Sequence, residues 1–320
     1  MEEPKLVNVG RPLVTVGLCT YKRPSVLETL RSIEAQYGVE KDELEIVVVD
    51  NDLNLSGEKY VKQFSEESGI STKYFSEPQK NIAAARNKVL EHANGAWLAS
   101  IDDDEIASPD WLSTLLEAAN KYNADAVVGR KRAVYPENTP DWLKVGDFFN
   151  PKAAPTGTLL DSGNTGCALI NLDKIRSLNL NFDLKFGLTG GSDSKLFFNL
   201  YKHGGKIVYC HEAVVDEPIE ENRVNARYLT LRAVRGGQCW FRFHKPYLDA
   251  VSFIKLLIKN LVKVSLNSIL LILLMPFGRA SYLKPWLKIA DVYGKLSVVI
   301  NRSPIEIYSI VEPPKGSKES

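Results

Sequence analysis

The chain has 320 residues, 44% of them hydrophobic and 25% charged, enough to bury a full core and carry a smaller appendage. Its net charge of +1 supplies no global field for nucleic acid, so no nucleic-acid partner is expected. The acidic start Met1-Glu2-Glu3-Pro4-Lys5 lacks the apolar core of a secretory signal, and four scattered cysteines (Cys19, Cys167, Cys210, Cys239) without metal-like spacing fit reduced, mostly buried thiols in a cytosolic protein.

Leu13 to Cys19 reads as a strand, followed by Thr20-Tyr21-Lys22-Arg23-Pro24 and a helix with Val26, Leu27, Leu30 and Ile33 on one face. Leu44 to Val49 is a second strand, continuously apolar at Ile46-Val47-Val48-Val49 as when both faces are covered, and it ends in Asp50. Thr72 to Phe75 is a short third strand. Ile82 to Ala93 is an alanine-rich helix stopped by Asn94-Gly95. Trp97-Leu98-Ala99-Ser100-Ile101 then runs straight into Asp102-Asp103-Asp104-Glu105. Ser108 is expected to cap the next helix, with Pro109 at its first position and Trp111, Leu112, Leu115, Leu116 and Ala119 inward. Ala126-Val127-Val128 is another short strand. Alternating strands and helices imply a Rossmann-like, mostly parallel sheet flanked by helices, with Asp50 and Asp102 to Asp104 on one edge.

That edge is where open α/β sheets bind ligands. Clustered carboxylates repel unless something positive holds them, and a hard divalent cation that also takes substrate phosphates is the usual partner. An acidic, solvated loop is the plainer alternative. No Gly-x-Gly-x-x-Gly follows the first strand and no Walker lysine motif is present, so a bound diphosphate must be neutralised by metal and side chains.

The second half changes character. Tyr135 to Gly157 is rich in Pro, Asp and Asn; Gly166 to Asn171, Lys206 to Tyr209 and Ala213 to Val215 are strand-like. In Gly190-Gly191-Ser192-Asp193 the glycines permit a sharp turn and Ser192 is a candidate helix cap. Asp193 would then share the apolar stripe of Leu196, Phe197 and Leu200. It either complements the helix dipole or points into a site as an ionised base. Arg223, Arg227, Arg232 and Arg235 recur at helical spacing, either to close over a diphosphate or as a solvated face. His211, Trp142 and Trp240 have a structural reading and a ligand-touching one.

At this point four segments in order carry a resemblance: Val14 to Pro24, Glu45 to Asp52, Asn81-Ile82-Ala83-Ala84-Ala85-Arg86-Asn87 running into Ile101 to Glu105, and Phe186 to Asp193. Over about residues 13 to 245 the chain resembles family 2 glycosyltransferases of the GT-A fold, in particular the non-processive exopolysaccharide, succinoglycan-type branch. The resemblance implies inverting, metal-dependent transfer of one sugar from a nucleotide sugar, a UDP-sugar in the first instance. The acceptor would be a glycan hydroxyl, lipid-linked, in cell-surface polysaccharide biosynthesis. It implies that Thr20, Tyr21, Arg23, Asp50, Arg86, Asp102 and Asp103 bind the donor, that Asp104 holds Mn²⁺ or Mg²⁺, and that Asp193 is the general base. Ser192 stands where many members carry Glu, and the Gln-x-x-Arg-Trp motif of processive synthases is absent. The alternatives are a nucleotidyltransferase, which needs a basic glycine-rich loop after the first strand, and a non-catalytic sugar-nucleotide binding or scaffold protein of the same fold.

The organisation expected is a GT-A domain over 1–245, a helical membrane-proximal segment over 246–310 and a disordered tail over 311–320. From Val251 to Met275 apolar residues dominate, with Lys255, Lys259 and Lys263 four apart in one stripe. The uninterrupted apolar run is too short for a span of roughly 20 residues, and Pro276 ends it. The pattern fits a helix in the headgroup region with its lysines toward anionic lipid, which would place the protein peripherally on the cytoplasmic face of the cell membrane. Packing on the domain, a dimer interface, or a spanning helix are the alternatives.

Overall fold

A computed structural model describes residues 11–150 and 154–306; the acidic start and the tail lie outside the described residues. Strands β1 (Val14–Thr20), β2 (Leu44–Asp50), β3 (Ser71–Ser76) and β4 (Trp97–Ile101) pair in parallel, in the spatial order β3-β2-β1-β4. All seven residues of β2 are buried, which is why its apolar run does not alternate. Helices α1 (Val26–Glu34), α2 (Glu58–Ser68) and α4 (Trp111–Tyr122) cover one face; α3 (Ile82–His92) covers the other. Leu30, Ile33, Phe64 and Trp111 meet Val16, Ile46 and Val48 on the first face. Each such side chain contributes about 1.5–3 kcal/mol by leaving water.

Beyond β4 the sheet is mixed. Strands β5 (Ile106–Ala107), β6 (Ala126–Val134), β7 (Leu159–Leu160), β8 (Cys167–Asn171) and β9 (Ile207–Pro218) extend it in the order β4-β8-β6-β9-β5, with β7 also on β9. β8 is antiparallel to both β4 and β6, because the chain crosses back between β6 and β8 before re-entering the sheet from the opposite end. The two short strands expected near residues 206 to 215 are one twelve-residue strand, β9, parallel to a β6 that is also longer than its apolar start. Ser108 does not cap α4. It lies a turn ahead, its N–H bonded to Val214 and its carbonyl to the Trp111 N–H, and Asp110 is the cap residue. Likewise Pro24 precedes α1, whose cap position is Ser25. The four cysteines are free thiols, three of them buried.

Helix α5 (Asp141–Gly146) lies in the crossing segment; α6 (Leu172–Ser177) and α7 (Ser192–Lys202) add to the second face. Helix α8 (Ala226–His244) then leads to α9 (Ala250–Leu274), the 3₁₀ turn Met275–Phe277 and α10 (Arg279–Val299). α10 returns against α8, backbone to backbone: a Cβ on Gly237 would fall 2.0 Å from the Asp291 carbonyl, and one on Gly294 2.0 Å from that of Val234. Leu283 of α10 joins Leu143, Phe149, Ile219 and Leu229 in a third small core.

Candidate active site

The C-terminal ends of β1, β2 and β4 open into a cleft of about 780 Å³. Thr20 and Asp50, the last residues of β1 and β2, are register partners, and the four acids follow β4 at the same edge. Asp102 to Glu105 form a turn closed by the Glu105 N–H on the Asp102 carbonyl at 3.2 Å, and burial alternates along it, which divides the acids' work. The Asp102 and Asp104 side chains are 40% and 21% exposed, whereas those of Asp103 and Glu105 are 8% and 0% exposed.

Asp103 organises the turn after β1. It accepts hydrogen bonds from the Thr20 hydroxyl (2.8 Å), the Tyr21 N–H (3.4 Å) and Arg23 Nη1 (3.0 Å). Arg23 also pairs with Asp104 at 2.5 Å and Glu220 at 3.1 Å. Burial raises the Asp103 carboxyl to about 7 even with Arg23 beside it. It likewise raises Asp104, against the pull of Arg23. Burial would also raise Asp102, but Lys131 (Nζ at 3.3 Å) and Arg86 (Nη2 at 3.8 Å) outweigh it and hold this carboxyl below the ordinary value.

Lys131, on β6, was not singled out by any sequence pattern. It touches Asp102 and the buried Glu105 and lies 3.5 Å from Glu217. Burial alone would lower its pKa, yet these three carboxylates raise it well above the usual lysine value. Gly166 makes room for the cluster, since a Cβ there would fall 2.4 Å from Lys131 Nζ and 2.9 Å from Asp102 Oδ2.

Thr20, Tyr21, Arg23, Arg86, Asp102, Asp103 and Asp104 all line the cleft. Asp50 and Asp193 are not among the lining residues. Both oxygens of Asp50 are engaged, accepting from the N–H groups of Asp52 (2.8 Å) and Gly57 (2.7 Å) and from the Tyr74 hydroxyl (2.8 Å). Its neighbour Asn51 reaches the cleft instead. Ser192 is the first residue of α7 rather than its cap; Gly190 and Gly191, at φ 76° and 93°, make the turn before it. The buried Ser192 hydroxyl accepts from Arg86 at 3.2 Å. Asp193 is thus the second helical residue, half-buried, and accepts the Ser194 N–H at 2.8 Å.

Of the four arginines near α8, Arg223, Arg232 and Arg235 line the cleft and Arg227 is exposed to solvent. Trp142 packs near Phe148 and Trp240 stacks on His244; neither is among the residues lining the cleft. His211 contacts Arg130 at 3.2 Å, also away from it.

Among the described residues no group of three or more His, Cys, Asp or Glu side chains is arranged to hold a metal ion. The cleft instead offers the hard oxygens of Asp102 and Asp104. That donor set fits a cation that shares its shell with water and ligand phosphates, as Mg²⁺ commonly does, and not an all-protein cage.

Residues 15–175 match the profile described as Glycosyl transferase family 2. This chain belongs to glycosyltransferase family 2. Among curated relatives of this glycosyltransferase, the succinoglycan biosynthesis protein ExoM of Rhizobium meliloti is 38% identical over 225 residues, 70% of this chain and 73% of the relative. The glucosyl-dolichyl phosphate glucuronosyltransferase of Haloferax volcanii is 29% identical over 206 residues, 63% of this chain and 61% of that one. The fold is shared with the mannosyltransferase PcManGT of Pyrobaculum calidifontis, solved with GDP-Man and Mn²⁺. The TM-score is 0.65 at 17% identity, covering 92% of this chain and 89% of that one. It is also shared with S. aureus TarS 1–349 solved with UDP-GlcNAc, with a TM-score of 0.53 at 14% identity, covering 90% and 92%.

Proposed function

We propose that this glycosyltransferase moves one sugar, with inversion, from a nucleotide sugar to a hydroxyl of a lipid-linked glycan, in cell-surface polysaccharide synthesis at the cytoplasmic face of the membrane. A UDP-sugar is the expected donor. The observation that carries the reading is the pair of cleft-facing carboxylates, Asp102 and Asp104, set against a wall of Arg86, Arg223, Arg232 and Arg235. The relatives named for succinoglycan synthesis and for a dolichyl phosphate substrate support the choice of acceptor class.

Thr20, Tyr21 and Arg86 line the nucleotide end, and Asp103 holds that end in shape through Thr20, Tyr21 and Arg23. Asp102, kept ionised by Lys131 and Arg86, orients the ribose. Asp50, bonded to its own loop, would reach the base only if that loop exchanged its Gly57 contact. The arginines draw in the diphosphate and balance its growing charge as the sugar leaves. Mn²⁺ or Mg²⁺, held by Asp104 together with the donor's phosphates, would supply further positive charge to the leaving group. Asp193, at the positive end of α7 but outside the cleft lining, would take the proton only from an acceptor hydroxyl that enters from the α7 side, as that oxygen attacks the far side of the anomeric carbon. A single displacement inverts that centre and needs no covalent nucleophile.

Incubating the protein with a panel of UDP-, GDP- and dTDP-sugars plus Mn²⁺ tests this. One donor should bind and be slowly hydrolysed without acceptor. A donor that binds but is neither hydrolysed nor transferred would favour the non-catalytic reading, and a panel in which none binds would contradict the nucleotide-sugar donor itself.

A further inference from the structure

α9 is built inside out. Its stripe toward α10 carries the polar residues: Asn260 and Asn267 are 4% and 6% exposed, and Lys263 pairs at 2.7 Å with Asp291 of α10, which also takes Lys295 at 3.0 Å. Its outward surface is apolar, with Ile254, Ile258, Leu261, Leu266, Ile269 and Leu273 each more than half exposed. The expectation that all three lysines face lipid therefore fails at Lys263. Lys255 and Lys259 remain exposed, on one flank of the outward face.

Among the described residues, Ala250–Phe277 is the helix long and apolar enough to cross a membrane, with a mean hydropathy of 1.8 and 11% buried. Crossing would require α9 to leave α10, stranding Asn260, Lys263 and Asn267 in hydrocarbon and Asp291 without Lys263. If it kept α10, it would carry α8 and the cleft arginines in as well.

We infer that α9 lies flat in one leaflet of an anionic bilayer, its outward face among the acyl chains and Lys255 and Lys259 reaching back to the headgroups. This rests on the membrane reading proposed above. Charge selects the occupant. Within residues 250–300 the single acid, Asp291, is already taken by Lys263 and Lys295, which leaves Lys255, Lys259, Arg279, Lys284 and Lys288 exposed with no acid to balance them. Such a face suits anionic lipid and disfavours a second copy of itself.

The test is co-sedimentation of the full chain with phosphatidylcholine vesicles with and without phosphatidylglycerol, together with thermal melts. The protein should pellet with the anionic vesicles, and less so in high salt. Changing Ile258, Leu261, Leu266 and Ile269 together to Ser should weaken binding at least tenfold with the melting temperature kept. Lys263→Met separates flat from spanning. The flat helix loses its Asp291 contact, so the melting temperature falls and vesicle affinity stays within twofold. Rising affinity with an unchanged melt would overturn the flat geometry. A wild-type protein that ignores both vesicles, or that self-associates through the outward face, would overturn the membrane reading with it.

Discussion

The Lys131 ammonium rests against the buried Glu105 carboxylate, whose other oxygen takes the Asp102 N–H at 2.9 Å. A residue of β6 thereby fixes the first acid after β4, across β8. Removing one partner of such a pair leaves an uncompensated buried charge, a loss of about 3–5 kcal/mol. Lys131→Met should lose stability of that order in urea, and adding Glu105→Gln should restore part of it. A single variant within about 1 kcal/mol of wild type would mean the pair is dispensable.

Asp193→Asn keeps the shape of the α7 N-terminus and removes the proton acceptor. Transfer should slow by about 10²–10⁴-fold. Donor affinity by calorimetry should hold, because Asp193 is not among the residues lining the cleft. Loss of nucleotide binding along with activity would move the residue to the donor side.

His244 is packed against Trp240 at 3.8 Å and Phe198 at 4.3 Å between ring centroids. Burial lowers its pKa from 6.5, and Lys295 and Lys202 add to this against the pull of the Trp240 carbonyl and Asp161. The unfolded chain therefore binds a proton here before the folded one does. The contribution to stability is complete above 6.5 and is lost as pH falls toward the depressed value. Melts at pH 7.5 and 5.5 should show a smaller drop for His244→Phe than for wild type. The other three histidines are common to both proteins and cancel. Equal drops would contradict the assignment.

Much of this was legible in the sequence because local signals agreed with the fold. The unbroken Ile46 to Val49 run marks a strand covered on both faces, and the abrupt acids after Ile101 mark the ligand edge. What stayed hidden depends on pairing between distant segments. Nothing near Lys131 announces Glu105, 26 positions earlier, and the antiparallel β8 follows from the path of the crossing segment, which carries no periodicity. Helical spacing left Arg223 open between closing over a diphosphate and a solvated face; it lines the cleft beside Glu220. Lys263 belongs to a lysine row whose i, i+4 spacing drifts around the helix, so its last member turns to Asp291.

Asp104 is the residue on which the proposed metal-assisted transfer turns. Calorimetry of the best-binding donor with the wild type and Asp104→Asn, each with Mn²⁺ and with excess EDTA, tests it directly. The wild type should bind and turn over donor in Mn²⁺ and lose both by orders of magnitude in EDTA, and the variant should show the same loss with an unchanged melting temperature. Full wild-type turnover in EDTA, or normal turnover of the variant, would contradict it.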